Sequence, residues 1–296
     1  MPVAHPLPRW LSFAAYPLLL TINLVAASVD IRHATLGRSA PYLFAFNVLS
    51  LLLLEFRYPM QQRWRMTWHT AKRDLFFMAI GIATLVGANW ALTALAIALA
   101  PTQGWLSDMP VVPGVVLALL VIQFLQYWQH RWQHESCRVA WRIHRPHHVS
   151  ERVYLLMHVR FHLLDGVLVR AVFILPSILL GLPAASLYVM SVIVGLQGFV
   201  SHLNVDLRAG WFNYVVTGTE LHRYHHSAEI AEGKNYGSFL PIFDLLFGTF
   251  VYRPGQAPAA LGVAADDAGP TSSTLLGHLT FPFSRAQCRV VSSISR

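Results

Sequence analysis

Charged residues are scarce in this chain of 296 residues: Asp, Glu, Lys and Arg make up only 12%, whereas hydrophobic residues make up 55%. Soluble domains carry about 25% charged residues, so the composition excludes an ordinary soluble domain. Long apolar stretches predict an integral membrane protein instead, because about 20 consecutive apolar residues are enough to cross a bilayer core.

Cysteine is nearly absent as well, since Cys137 and Cys288 are the only two. They provide neither a disulfide framework nor the cysteine quartet that holds an iron–sulfur cluster. A glycine-rich dinucleotide fingerprint is also missing from the sequence. The sequence therefore excludes these two kinds of electron-transfer site.

Lysine is rare too: Lys72 and Lys234 stand against a large excess of arginine, and the net charge is +8. Because no basic stripe on a soluble domain is evident, we expect the charge to face anionic lipid headgroups and not nucleic acid. The arginine bias is typical of a GC-rich bacterial genome. It favours a bacterial cytoplasmic membrane as the location.

About six apolar stretches predict helices in the membrane, at residues 11–29, 41–54, 75–100, 111–128, 167–180 and 184–200. The last two are short and joined by "GLP", so they form either two spans or a hairpin that does not fully cross. The expected fold is all-α, with about four full spans and a short helical hairpin. A weak signal-peptidase pattern at 26–28 is a competing feature, and we expect the first span to stay uncleaved.

The distribution of basic residues predicts the topology. Five lie between the second and third spans and six follow the fourth, whereas "PTQGWLSDMP" between the third and fourth has none. Because Lys and Arg are retained on the cytoplasmic side, both basic regions and both termini are expected in the cytoplasm.

Histidine is abundant, with fifteen residues, and most are clustered. The clusters are "HRWQH", "HRPHH" and "HRYHH". Spacings of three and four place side chains on one face of a helix, where two imidazoles reach the same ion. Pro146 implies that its helix starts near His144 or is kinked there. The clusters are expected to meet at the cytoplasmic rim of the bilayer as a helical cap.

A solvated basic belt is the simple alternative for these histidines. Against it, a buried imidazole without a partner costs about 1–3 kcal/mol, and a belt has no reason to repeat H-x-x-H-H. The number of ligands implies two metal ions. Imidazole suits iron, copper, zinc and nickel, so the ligand type alone does not name the metal. The carboxylate signature of soluble di-iron bundles is absent.

With these motifs, residues 121–253 resemble the fatty acid hydroxylase and sterol desaturase superfamily of integral membrane non-haem di-iron oxygenases. The resemblance rests on "QHRWQHE", "HRPHH", "HRYHH" and "NYGSFLPIFDLLFGTFVYRP". Family members typically have tryptophan before the aspartate of the last motif. Here Phe243 precedes Asp244.

The resemblance implies two irons, with O2 as co-substrate, held by His130, His134, His144, His147, His148, His222, His225 and His226. His202 matches a further ligand position in several relatives; a helix cap or core histidine is the alternative. Glu135 is expected to orient a ligand or water, or else to pair with an arginine. His162, followed by Leu163 where many relatives have proline, is expected either to hydrogen-bond behind the ligands or to be structural.

The remaining histidines are not expected to bind metal. His158 is expected to face solvent or lipid headgroups. His5, His33, His69 and His278 are expected to be surface residues.

The implied reaction is hydroxylation or desaturation of a lipid C–H bond. The lipid is a fatty acyl, sterol-like or alkyl-ether lipid, and electrons come from a separate reductase, ferredoxin or cytochrome. The expected domains are membrane spans at 1–110, the catalytic domain at 111–253 and a disordered tail at 254–296.

Two other classes of protein compete with the oxygenase. A metal transporter or metal-binding protein is the main rival, but transporters place ionisable ligands near the bilayer midplane, where these spans have almost none. A zinc hydrolase at the membrane rim would need far fewer ligands than the histidine clusters offer.

Overall fold

The structure, a computed structural model, describes residues 7–99, 104–135, 138–265, 267, 269–271 and 275–284. Every regular element in these ranges is a helix, and one isolated bridge joins Ser227 to Leu261. The prediction of an all-helical fold is confirmed.

The α-helices of the described ranges, in chain order, are α1 (Arg9–Arg32), α2 (Ala40–Arg57), α3 (Trp68–Leu99), α4 (Val111–Glu135), α5 (Arg138–His148), α6 (Leu163–Leu179), α7 (Ala184–Ser201), α8 (Thr219–His225), α9 (Ile242–Leu246) and α10 (Leu275–Thr280). Short 3-10 helices lie at Gln62–Trp64, Leu155–Val159, Gly210–Tyr214 and Phe281–Phe283.

Five helices are long and apolar enough to cross a membrane: α1, α2, α3, α4 and α7. Helix α6 has 17 residues. At 1.5 Å per residue its length is roughly 25 Å, shorter than the hydrocarbon core of about 30 Å. The chain is an integral membrane protein, and α6 with α7 forms the short helical hairpin that the sequence predicts.

The hairpin turns at Gly181, whose φ of +65° is a left-handed conformation that glycine adopts without strain. A Cβ on Gly181 would lie 2.3 Å from Cα of Gly104, so the two backbones touch. Nearby, the Leu106 amide donates to the Leu180 carbonyl over 3.2 Å. The α3–α4 and α6–α7 connections therefore meet at one end of the bundle, and α4 and α7 end together at the other, which we call the histidine end.

Several polar side chains inside the bundle are paired, as an apolar solvent favours. Asn23 of α1 and Asn47 of α2 exchange two side-chain amide hydrogen bonds of 2.9 Å each. Tyr188 of α7 donates its hydroxyl to Asp30 of α1 over 2.7 Å. These bonds connect α1 to α2 and α7 through a core that is otherwise largely apolar.

Buried carboxylates fasten the histidine end. Asp74 of α3 accepts two hydrogen bonds from Arg160, of 3.0 and 2.8 Å, and one from the Tyr154 hydroxyl. Glu55 of α2 accepts the backbone amides of Leu155 and Asn204 over 2.8 and 3.0 Å. Helices α2 and α3 are thereby tied to the chain around α5 and α7.

The segment after residue 253 differs from the disordered tail that its composition predicts, in the residues that the structure describes. Asp267 accepts hydrogen bonds from Arg145 over 2.7 Å and from the Trp141 indole over 3.0 Å. His278, expected at the surface, is 1% exposed and lies against Phe77. One ion pair and an indole hydrogen bond with α5 offset the low apolar content. The predicted disorder of 285–296 lies outside the described residues.

Replacing Asp74 with asparagine should lower the free energy of unfolding by about 3–5 kcal/mol, because it leaves the buried Arg160 charge uncompensated. Thermal unfolding of the purified protein in detergent measures the change. Asp206→Asn is the matched control, since Asp206 pairs with Arg208 at the surface and should cost at most about 1 kcal/mol. Equal losses in both variants would contradict the assigned role of Asp74.

Candidate metal centre

Four helix ends bring the predicted ligands together. His130 and His134 lie on the last turns of α4, and His202 directly follows α7. Helix α5 carries His144, His147 and His148, while α8 carries His222 and His225 with His226 just beyond it. Helix α5 begins at Arg138 and includes Pro146 in its last turn. A helix start near His144, one of the two sequence expectations, is therefore wrong.

All nine histidines lie in two compact groups, in each of which one ring nitrogen per residue lies within 4.8 Å of the others. The five-histidine group comprises His130, His134, His144, His148 and His225, and the four-histidine group comprises His147, His202, His222 and His226. The two groups are neighbours, because the rings of His148 and His226 have centroids 4.4 Å apart. The ligand role of the nine stays a prediction.

Helix geometry explains how each H-x-x-H-H motif serves both groups. On a helix, residues i and i+4 differ by about 40° around the axis, and residue i+3 lies on the other side of residue i by about 60°. His144 and His148 accordingly share the five-histidine group, and His147 joins the other. His222 and His226 share the four-histidine group, and His225 joins the five.

Hydrogen bonds orient the rings of the five-histidine group. His130 Nδ1 lies 2.8 Å from the Tyr236 carbonyl, and His144 Nδ1 lies 2.8 Å from the Asp165 carboxylate. Because each Nδ1 faces a hydrogen-bond acceptor, the tautomer with its proton on Nδ1 is favoured in both rings. The Nε2 atoms of His130 and His144 lie 3.0 Å apart and therefore present two lone pairs to each other. This arrangement suits a cation held between them.

The four-histidine group repeats the arrangement. His202 Nδ1 lies 2.9 Å from the Gly198 carbonyl and so carries the proton. Its Nε2 lies 3.1 Å from that of His147 and 2.9 Å from that of His222. In the five-histidine group, Nε2 of His225 is buried without any hydrogen-bond partner. Converging and unpartnered nitrogens of this kind fit metal coordination.

Protonation would be the alternative way to satisfy these nitrogens, and the surroundings oppose it. Burial, reinforced by the charge of neighbouring histidines, holds the pKa of His147, His148, His222, His225 and His226 well below the ordinary value of 6.5. The rings are therefore neutral at physiological pH, which is the form that binds a metal. The donor set fits one metal ion per group.

One loop, at residues 234–237, supports two members of the five-histidine group. The Lys234 carbonyl lies 2.9 Å from His225 Nδ1, and the Tyr236 carbonyl binds His130. Asp244 holds this loop by accepting the amides of Tyr236 and Gly237 over 2.7 and 2.8 Å. The asparagine–tyrosine–glycine segment and the aspartate of the last motif thus fix the orientation of two histidine rings.

Asp165 is a site residue that the sequence analysis missed. It is fully buried in the first turn of α6, accepts from His144, and is held by Gln133 of α4 over 2.8 Å. A carboxylate behind a ligating imidazole raises its basicity and fixes its orientation. An aspartate in the first turn of a largely apolar helix, three residues after His162, is the signal that could have identified it.

The two predicted non-ligand residues contact no member of either group by hydrogen bond. Glu135 pairs with Arg131 over 2.7 Å and with Lys234 over 3.0 Å, and accepts the Tyr236 hydroxyl over 3.0 Å. This is the arginine pairing that the sequence left open. His162 accepts the Leu164 amide at the start of α6, which is a structural role.

The expectation that His158 faces solvent or headgroups is wrong. Its ring packs 5.0 Å from that of His202. The space exists because position 198 is glycine, where a Cβ would lie 2.5 Å from the His158 ring. Burial lowers the pKa of His158 to about 4, so a neutral ring backs the ligand candidate His202.

Comparisons with known proteins agree with this geometry. The fatty acid hydroxylase family matches residues 115–249. An ornithine lipid hydroxylase from Rhizobium tropici is 30% identical, over 84% of this chain and 78% of that protein. Human alkylglycerol monooxygenase is 32% identical over 45% of this chain and 29% of its own length. A Gibberella zeae Delta(7)-sterol 5(6)-desaturase is 31% identical over 45% and 36%.

The chain belongs to the fatty acid hydroxylase family, as the histidine motifs predict. It is a membrane oxidoreductase that acts on lipids, and the alternative of a metal transporter is not favoured. No solved structure matches the chain.

Removing the Asp165 carboxylate should weaken metal binding by about 10–100-fold, because His144 loses the acceptor that orients it. Metal titration of purified Asp165→Leu against wild type measures the affinity. Asp206→Asn is the control and should retain wild-type affinity within a few fold, since Asp206 pairs with Arg208 at the surface. The assignment fails if the two variants lose metal equally.

Acid should destabilise the metal-free protein. His147, His148 and His158 have folded-state pKa values below the unfolded value of 6.5, so their contribution is complete above pH 6.5 and is lost as the pH falls through the folded pKa. Stability should therefore decline from pH 6.5 towards about 4, the pKa of His158. Chemical denaturation across this range tests the prediction, and a flat profile would refute it.

Proposed function

We propose that the chain is a di-iron oxygenase that hydroxylates a C–H bond of a membrane lipid. The observation that carries the proposal is the pair of adjacent histidine groups with inward lone pairs. Imidazole sets alone do not select iron. Membership of a family of non-haem iron oxygenases supports iron over the other candidates.

The five-histidine group would hold one iron and the four-histidine group the other. When bound, the irons supply reduction of O2 and oxidation of an unactivated C–H bond. The chain's own part is to bring nine imidazoles together, to aim their nitrogens inward and to exclude water.

Aromatic side chains close the site against water. Phe161 stacks on His147 with centroids 4.8 Å apart, and Trp141 lies 5.2 Å from His134 and 5.6 Å from His148. The described segment after residue 253 covers the outer side of α5 through Asp267. These layers favour an apolar substrate that enters sideways from the bilayer.

Hydroxylation is favoured over desaturation because the relative aligned over most of both chains is named a lipid hydroxylase. Desaturation is the second candidate, since another relative is named a sterol desaturase. Both begin with removal of hydrogen from carbon, and placement of the substrate carbon decides between them.

Supporting features also suggest the cellular arrangement. Arginines concentrate at the histidine end, which favours a cytoplasmic position at a bacterial cytoplasmic membrane. Electrons would come from a separate reductase, ferredoxin or cytochrome, because the sequence has no site for an iron–sulfur cluster or dinucleotide.

Metal content and lipid products together test the proposal. Wild type reconstituted under reducing, anaerobic conditions should bind two irons per chain, with a spectroscopic signature of two coupled ions. His147→Ala removes a member of the four-histidine group and should lower the content towards one. Lipid extracts of cells that produce wild type should contain a hydroxylated lipid that is missing with His147→Ala.

His33→Ala is the matched control, because His33 is exposed at the far end of α1. It should keep both irons and the product. An unsaturated product in place of the alcohol would favour the second candidate. Metal-free wild type after reconstitution, or unchanged lipids, would overturn the proposed function.

A further inference from the structure

Helix α6 carries one charged residue in its middle. Arg170 lies seven residues beyond Leu163, which places its Cα about 10 Å from the histidine end of the helix. Its neighbours from 166 to 176 are half-buried, and the remaining side chains of this stretch are uncharged. Position and surroundings thus put a guanidinium inside the apolar layer.

Arg170 differs from the other buried charges because it has no hydrogen-bond or ion-pair partner among the described residues. Asp74 pairs with Arg160, Asp165 with His144, and Arg145 with Asp267. A charge inside a bilayer is costly and is retained where it serves a function, such as pairing with a substrate. The missing counter-charge points to a ligand.

The helix displaces the Arg170 guanidinium towards the histidine end. Side chains on an α-helix incline towards its N-terminus, and the N-terminus of α6 lies at the histidine end. Gly166, four residues earlier on the same face as Arg170, has open space where a Cβ would lie. A ligand held by the guanidinium would therefore lie along this open face of α6, between the lipid layer and the histidine end.

We propose that Arg170 binds the anionic group, a carboxylate or phosphate, of the lipid that this enzyme oxidises; the inference rests on the proposed oxygenase function. A guanidinium offers a planar fork that binds both oxygens of such a group. Because Arg170 lies inside the apolar layer, an anionic group that reaches it is expected to be part of a lipid with an acyl chain. The substrate class is accordingly an anionic or zwitterionic lipid and not a neutral one.

Lipid binding to the full-length metal-free protein tests the assignment without turnover. The probes are N-oleoylglycine, dioleoyl phosphatidic acid and neutral diolein, each counted on the protein by native mass spectrometry, with inorganic phosphate as competitor. Wild type should retain the two anionic lipids over diolein. Arg170→Gln should lower their retention at least about tenfold and leave diolein unchanged.

Arg57→Gln is the matched control, because Arg57 is an exposed arginine at the end of α2 and should bind all three lipids like wild type. Equal retention by wild type and Arg170→Gln, or an equal loss in Arg57→Gln, would overturn the inference. Displacement of both lipids by inorganic phosphate would show a free-anion site and would also overturn it.

Arg170→Lys keeps the test decisive if the glutamine variant misfolds. An ammonium does not reproduce the planar fork, so carboxylate binding should fall several-fold while the protein elutes as wild type. Unchanged binding would count against the proposal.

Oxidation of the same lipids separates the two proposals. Intact selectivity without any oxidised product would remove the oxygenase function and leave a lipid site. Oxidation of diolein at the same rate in wild type and Arg170→Gln would remove the Arg170 assignment and leave the oxygenase.

Discussion

Neutral imidazoles have one lone pair each, and the structure depends on where that lone pair points. In four histidines, Nδ1 donates a hydrogen bond to a fixed acceptor. The acceptors are the backbone carbonyls of Gly198, Lys234 and Tyr236 and the Asp165 carboxylate. Each acceptor forces the opposite nitrogen to face its neighbours without a proton. The concentration of inward lone pairs would be repulsive in an empty apolar interior, and a cation removes the conflict.

Much of the polar network at the histidine end orients the imidazole rings indirectly, by holding the groups that accept their hydrogen bonds. Asp244 braces the loop that supplies two carbonyls, and Gln133 steadies the carboxylate behind His144. Glu55 binds the amide of Asn204, two residues beyond His202. The helices crossing the membrane therefore position a site that lies at their ends.

The sequence predicted those features that leave a regular pattern of residues. Apolar length identified the spans, and H-x-x-H-H spacing identified the histidines that the structure brings together. Assignment of His147 and His225 to different groups depends on how α5 and α8 face each other, which is a tertiary relation. Asp165 and His158 were missed because each looks ordinary in sequence and gains its role from packing against α4 or α7. The segment with Asp267 has a composition typical of disorder, yet it is held by one ion pair with Arg145 and hydrogen bonds from Arg145 and the Trp141 indole.

The interleaving of the two groups has a bearing on biogenesis. Each histidine group contains residues of both α5 and α8. More than seventy residues, including the α6–α7 hairpin, separate these histidines in the sequence. During synthesis, the last of these imidazoles is added only after the whole of α7 has been translated. Neither group is complete on a nascent chain that ends before α8, so a metal ion can be held by a complete group only after translation has passed His226.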